Sequence, residues 1–211
     1  NGDVWLATFK GGISRYDRQT DNFTTFEHDP SDVSTLSSNN VISLYETSDG
    51  NLWVGTWQSG ISVFVPSTGT AFRIRRDNNQ ASSLGSDRIV SFLEDSNRNI
   101  WVGTHGGGLN LLTAQDKNAG KIVFEKFDTE NGMPSNVVYG VLEDDQGSLW
   151  ASTNKGLVNL NRETKEVRVY TESHGIQANE FNSGAHYKDA NGYLYFGGNK
   201  GVTRFDPAKI K

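Results

Sequence analysis

The sequence predicts an all-β chain, and three observations carry that expectation. A short aromatic motif recurs: Val4-Trp5-Leu6-Ala7-Thr8, Leu52-Trp53-Val54-Gly55-Thr56, Ile100-Trp101-Val102-Gly103-Thr104 and Leu149-Trp150-Ala151-Ser152-Thr153 align, and Leu194-Tyr195-Phe196-Gly197-Gly198 is a fifth, altered copy. The aromatic position falls at 5, 53, 101, 150 and 195, giving periods of 48, 48, 49 and 45 residues, and a glycine follows nearly the same spacing at Gly12, Gly60, Gly108, Gly156 and Gly201. Within each period the apolar residues alternate or form short runs between Gly, Asn, Asp and Ser, which is the pattern of strands joined by tight turns.

The elements of one period can be read in order from the second copy. Val41 to Glu46, Leu52 to Thr56, Ile61 to Val65 and Ala71 to Ile74 are expected as four successive strands. The first two are joined by Ser48-Asp49-Gly50-Asn51, echoed by Asp145-Gln146-Gly147-Ser148 and Asp189-Ala190-Asn191-Gly192, in which Gly or Asn supplies the positive φ of a hairpin turn. Asp189-Ala190-Asn191-Gly192 also resembles half a calcium loop, but the closing Glu of such a loop is missing, so it is read as a turn. In the second strand, side chains alternate, so Trp53 and Gly55 share one face while Leu52, Val54 and Thr56 share the other. Both faces are packed. The small residue two places after each aromatic (Ala7, Gly55, Gly103, Ser152, Gly197) leaves room for a neighbouring sheet.

Small sheets stacked face to face around an axis make a β-propeller, with the motif Trp residues as core between blades. The expectation is a β-propeller fragment of about five four-stranded blades, an incomplete ring with partial first and last blades, forming a single propeller region over 1–211. Its repeats are placed at approximately 1–26, 41–74, 89–127, 137–170 and 181–206. An arc of this kind leaves two sheet edges and two apolar blade faces uncovered, so the remaining propeller blades of a longer chain, or self-association, are expected to cover them.

Composition narrows the function. The 211 residues carry 20 Lys and Arg against 25 Asp and Glu, a formal charge of −5, which lacks the basic excess that nucleic acid or an anionic membrane requires, so neither is expected as a partner. The absence of Cys excludes thiolate metal sites, Cys nucleophiles and disulfides. His28, His105, His174 and His186 fall in different repeats without metal-ligand spacing, and neither a metal nor a cofactor is expected. Glu46, Glu94, Asp95, Glu143 and Asp144 recur at the end of the first strand and are read as turn-capping or solvated groups, not as an acid–base pair. No catalytic residue is assigned.

Two stretches carry a family resemblance. Asp49 to Thr56 followed by Gly60-Ile61-Ser62-Val63-Phe64, and Asn97 to Thr104 followed by Gly107-Gly108-Leu109-Asn110-Leu111, resemble the two-component regulator propeller repeat. Asn179-Glu180-Phe181-Asn182 together with Ala190 to Gly198 is similar to the final repeat of such an array, which implies the C-terminal part of the second propeller. The resemblance implies a non-catalytic, carbohydrate-responsive, ligand-sensing region on the periplasmic side of the inner membrane. It also implies an immunoglobulin-like domain, a membrane helix and a histidine kinase or other output elsewhere in the parent chain. The same repeat is similar to that of the streptogramin lyases, which are enzymes. A lyase-like propeller enzyme and a purely structural protein-interaction propeller are therefore the alternatives, because fold alone does not fix function.

Topology selects the candidate site. In an up-and-down blade the turns after the second strand and the long segments after the fourth (27–40, 75–88, 128–136, 171–180) share one face, where function concentrates. At one fixed column of that face the residues vary: Phe9-Lys10, Trp57-Gln58, His105-Gly106, Asn154-Lys155 and Asn199-Lys200. Trp57 with Gln58, and with Lys10, His105, Asn154 and Arg88 on the same face, is the expected ligand site. It suits an oligosaccharide, whose apolar sugar face stacks on indole while its hydroxyls take hydrogen bonds.

Overall fold

A computed structural model describes residues 2–210, within which eighteen strands form five antiparallel sheets. The first blade holds β1 (Val4–Ala7), β2 (Ile13–Asp17) and β3 (Asn22–Phe26). The second holds β4 (Val41–Glu46), β5 (Leu52–Thr56), β6 (Ile61–Val65) and β7 (Thr70–Ile74), and the third β8 (Ile89–Glu94), β9 (Ile100–Thr104), β10 (Leu109–Leu112) and β11 (Glu125–Phe127). The fourth holds β12 (Val138–Glu143), β13 (Leu149–Thr153), β14 (Gly156–Leu160) and β15 (Val167–Tyr170), and the fifth β16 (Phe181–Lys188), β17 (Leu194–Gly198) and β18 (Gly201–Phe205). Within every sheet the strands pair in chain order. The first strands β4, β8, β12 and β16 lie side by side and form the inner wall of an arc of propeller blades. The all-β expectation and its five blades are thus met, and the ring is not closed.

The core explains the repeat. Four clusters of buried side chains each span two consecutive blades: Trp5 with Leu52, Val54 and Phe64; Trp53 with Ile89 and Phe92; Trp101 with Val138 and Val141; Trp150 with Phe181 and Phe196. Trp53, Trp101 and Trp150 are only 3%, 1% and 3% exposed. The small column beside them is required by the approach of the next blade. A Cβ on Gly103 would meet the Ser91 hydroxyl and stand 3.1 Å from both Cγ1 and the carbonyl of Val138 in the following blade. Gly103→Val is therefore expected to cost about 1 to 3 kcal/mol by overpacking, read as a lowered denaturant midpoint. A variant as stable as the parent would mean that the blades can separate freely at this point.

The motif Thr residues close the hairpins that follow them. The hydroxyls of Thr8, Thr56, Thr104 and Thr153 each donate to the carbonyl of the recurrent glycine, at 3.1, 2.9, 2.8 and 2.7 Å. In the second blade that glycine, Gly60, has φ +70, a left-handed conformation that other residues adopt only at a cost.

Two features lie outside the sequence expectation. Each first strand of the second, third and fourth blades shifts register by one residue, between Val41 and Ser43, Ile89 and Ser91, and Val138 and Gly140, and the shift widens in β16 to Phe181 and His186. A short helix, α1 (Ala114–Asn118), interrupts the third blade between β10 and β11, with the Thr113 hydroxyl accepting from the Asp116 N–H at 3.1 Å as its cap. The sequence Thr113-Ala114-Gln115-Asp116 carries this start signal, but a helix of 5 residues is too short to show an apolar period.

Candidate functional site

The loop face is built as the topology requires. The Trp57 N–H donates to Asn40 O at 3.1 Å, Gly60 N–H to Asp87 O at 2.9 Å and His105 N–H to Arg88 O at 3.0 Å. Each turn after a second strand is thereby tied to the segments that enter the first strands of its own and the next blade. The long segments are pinned rather than loose, since Leu36, Leu84 and Met133 on them are 1%, 1% and 3% exposed.

On this face three of the expected residues meet. The Trp57 indole is 37% exposed, with the Arg88 guanidinium carbon 5.4 Å from its centroid and the His105 ring 6.0 Å away at an interplanar angle of 59°. Ser86 fixes the spacing, because its hydroxyl donates to the His105 carbonyl at 3.1 Å and accepts from the Arg88 N–H at 3.2 Å. The side chains of Gln58, Lys10 and Asn154 make no hydrogen bond, ion pair or ring contact with these three among the described residues. Gln58 is exposed and engaged only through its carbonyl, which accepts from Arg75 at 3.5 Å. Lys10, exposed at φ 80, is held through its N–H to Asn39 O at 3.0 Å. Asn154 occupies the same column in the fourth blade, and its Oδ1 is buried without a partner. The trio offers an apolar ring face, a fixed cation and an imidazole. No carboxyl is among the side chains shown in contact with the trio.

The repeated acids lie on the opposite face, where Glu46 is exposed and the other four are structural. Asp95 Oδ1 accepts from the N–H groups of Asn97 and Asn99 at 2.9 and 3.0 Å, while its Oδ2 accepts from Trp101 Nε1 at 2.8 Å. Asp144 does the same for Gln146, Ser148 and Trp150 at 3.0, 2.9 and 2.8 Å. Glu94 accepts from the N–H and hydroxyl of Ser48 in the preceding blade at 2.6 and 2.7 Å, and Glu143 from those of Ser96 at 2.7 and 2.6 Å. In the fifth blade the pairing is reversed in polarity, with Lys188 Nζ 2.7 Å from Asp145. The expectation of turn capping is met by the aspartates, whereas Glu94 and Glu143 clasp blade to blade instead of facing solvent. A polar groove of about 380 Å³ between the third and fourth blades opens beside them, but three of its four charged side chains are committed: Arg162 to Asp95 and Glu143 at 2.9 and 2.8 Å, and Lys165 to Glu125 at 3.1 Å. Among the described residues no cluster of His, Asp and Glu could hold a metal ion, and no helix is long and apolar enough to cross a membrane.

Comparison with known proteins supplies the family. The model of the two component regulator propeller matches residues 35–58, 83–106 and 132–155, one stretch for each of the three complete blades. Histidine kinase P4 of Formosa agariphila is 42% identical over 88 residues, which is 41% of this chain and 6% of that protein. Among solved structures, the extracellular domain of a putative hybrid two component system from B. thetaiotaomicron superposes with a TM-score of 0.79 at 20% identity, over 99% of this chain and 28% of that one. Virginiamycin B lyase from Staphylococcus aureus superposes with a TM-score of 0.65 at 13% identity, over 100% of this chain and 68% of the enzyme. At such identities the structural likenesses establish the fold alone. The chain spans less than a third of the histidine kinase and of the hybrid system domain. The aromatic core, the threonine-closed hairpins and the matched stretches together show that the chain carries repeats of the two component regulator propeller kind.

Proposed function

We propose that this chain is the non-catalytic, ligand-sensing part of the extracytoplasmic region of a two-component receptor, and that the ligand is a carbohydrate bound at Trp57. The observation that carries this reading is the contrast between indoles. Trp53, Trp101 and Trp150 are buried between blades, while Trp57 stands 37% exposed beside a cation and an imidazole. An exposed, immobilised indole is what a sugar ring stacks on. The similarity to a histidine kinase and the propeller repeat support the signalling role.

Calorimetry of the chain against an oligosaccharide library, with chromatography of the recovered sugars, tests the reading. Binding without conversion is expected. Trp57→Ala should abolish it while costing under about 1 kcal/mol of stability, since the ring is no part of a core cluster. Conversion of a glycan or lactone would favour the lyase-like enzyme, and no binding would leave a structural propeller.

The outer faces of the end blades bear on partners. Val4 and Leu6 of the first blade are 40% and 43% exposed, and Tyr187 and Val202 of the fifth are 64% and 63% exposed. These faces support docking onto the remaining blades and immunoglobulin-like domain of a parent chain, or onto a second copy of this one. A strictly monomeric sedimentation profile at high micromolar concentration would remove the second copy.

A further inference from the structure

The trio at Trp57 also bears on the charge of its ligand. Arg88 is half-buried, yet among the described residues no carboxylate lies within ion-pair distance of its guanidinium, whose carbon stands 5.4 Å over the indole. The nearest acid in sequence, Asp87, is engaged elsewhere: Oδ1 accepts from the Arg76 N–H at 2.7 Å and Oδ2 from Arg75 at 3.2 Å. Stacking on a ring fixes the plane of a guanidinium and leaves its N–H edge open. That edge is shaped for two parallel hydrogen bonds to a planar carboxylate. His105, 6.0 Å from the same ring, adds a second group able to donate. A neutral sugar on Trp57 would cover the guanidinium without pairing it, which is costly.

We infer that the Trp57 face selects acidic sugars, with Trp57 stacking on a uronic acid ring while Arg88 takes its carboxylate. The inference rests on Trp57 being a sugar site and adds the chemical class. It also gives Arg88 and Trp57 separable roles: the indole supplies affinity for any stacked ring, and the guanidinium supplies preference for the acid.

The test is titration calorimetry of the chain with tetramers of galacturonate, mannuronate and glucuronate, each as the free acid and as its methyl ester, together with a sulfated galactan tetramer. The expected result is that at least one free acid binds about tenfold or more tighter than its ester, the scale of one charge-assisted pair. Arg88→Gln should bring acid and ester to equal affinity, whereas Trp57→Ala should lose both. An ester that binds the parent chain as tightly as its acid overturns the inference and leaves the sugar reading standing. Binding of the sulfated tetramer alone overturns the carboxylate in favour of sulfate. Binding of none of the sugars, with the chain shown to be folded by circular dichroism, removes the sugar reading and the inference together.

Discussion

Replacing Trp101 by Ala is expected to lower the unfolding free energy by about 3 to 5 kcal/mol, among the largest losses any single substitution in this chain can give. The indole is 1% exposed and packs in the cluster that joins the third and fourth blades, with Leu109, Leu111, Phe127, Val138 and Val141. Phe127 lies 5.6 Å from it, ring to ring. Truncation leaves a ring-sized void that two β-sheets cannot collapse into without moving as units. It also strips Asp95 of the Nε1–H donor held at 2.8 Å. Trp101→Phe separates the contributions, because it keeps most of the ring and loses the donor, and an intermediate loss is expected. Urea unfolding of the three proteins measures both. A loss under about 1 kcal/mol for the alanine variant would put Trp101 outside the core between blades, and the account of the repeat would fall with it.

The sequence carried the fold because each blade meets its neighbour in the same way. One geometry is solved at four junctions with an aromatic, a small residue and a glycine, and the period shows through. The candidate trio stood out for the opposite reason. Trp57 breaks the monotony of its column, and its sister positions hold Phe9, His105, Asn154 and Asn199. What stayed hidden depends on partners far apart in the chain. Arg88 reaches back one blade to the Trp57 ring, while Gln58, Lys10 and Asn154 share its face without joining it, and only the twist between blades decides which meet. The blade clasps left a trace that comparison of the repeats reveals: Ser48 with Glu94, Ser96 with Glu143, then Asp145 with Lys188. Residues read singly as solvated acids were paired across about one period, and the fifth blade exchanged both partners at once. The bulges of the first strands left no such trace, because the extra residues Ile42, Val90 and Tyr139 are apolar or aromatic like Val41, Ile89 and Val138 before them.

Asp95→Ala is expected to cost about 3 to 4 kcal/mol, although a carboxylate in a hairpin turn would ordinarily be replaceable. The difference is burial. Asp95 is 2% exposed, and it is the sole acceptor shown for the Trp101 indole N–H and the two backbone N–H groups of its turn. It also stands 2.9 Å from Arg162, which reaches over from the next blade and is itself mostly buried. Without the carboxylate these donors are left unpaired, and Arg162 retains Glu143 at 2.8 Å and the Ser96 hydroxyl at 3.3 Å. Asp144 is the internal control. It holds the same three donors in the fourth blade but has no cation within ion-pair distance among the described residues, so Asp144→Ala should cost about 1 kcal/mol less. Acid titration gives the independent reading. Burial by itself would raise the pKa of Asp95, but the Trp101 and Asn99 donors and Arg162 outweigh it and hold the pKa below the carboxylate value of 3.8. With the folded value depressed, the native state binds fewer protons than the unfolded chain. The stabilisation is therefore complete above the unfolded pKa and is lost as pH falls from there through the folded value. Parent and Asp95→Ala should accordingly differ by a constant amount at neutral pH and converge below about pH 4. A gap that persists unchanged into strong acid would show that Asp95 acts through turn geometry alone and not through its charge.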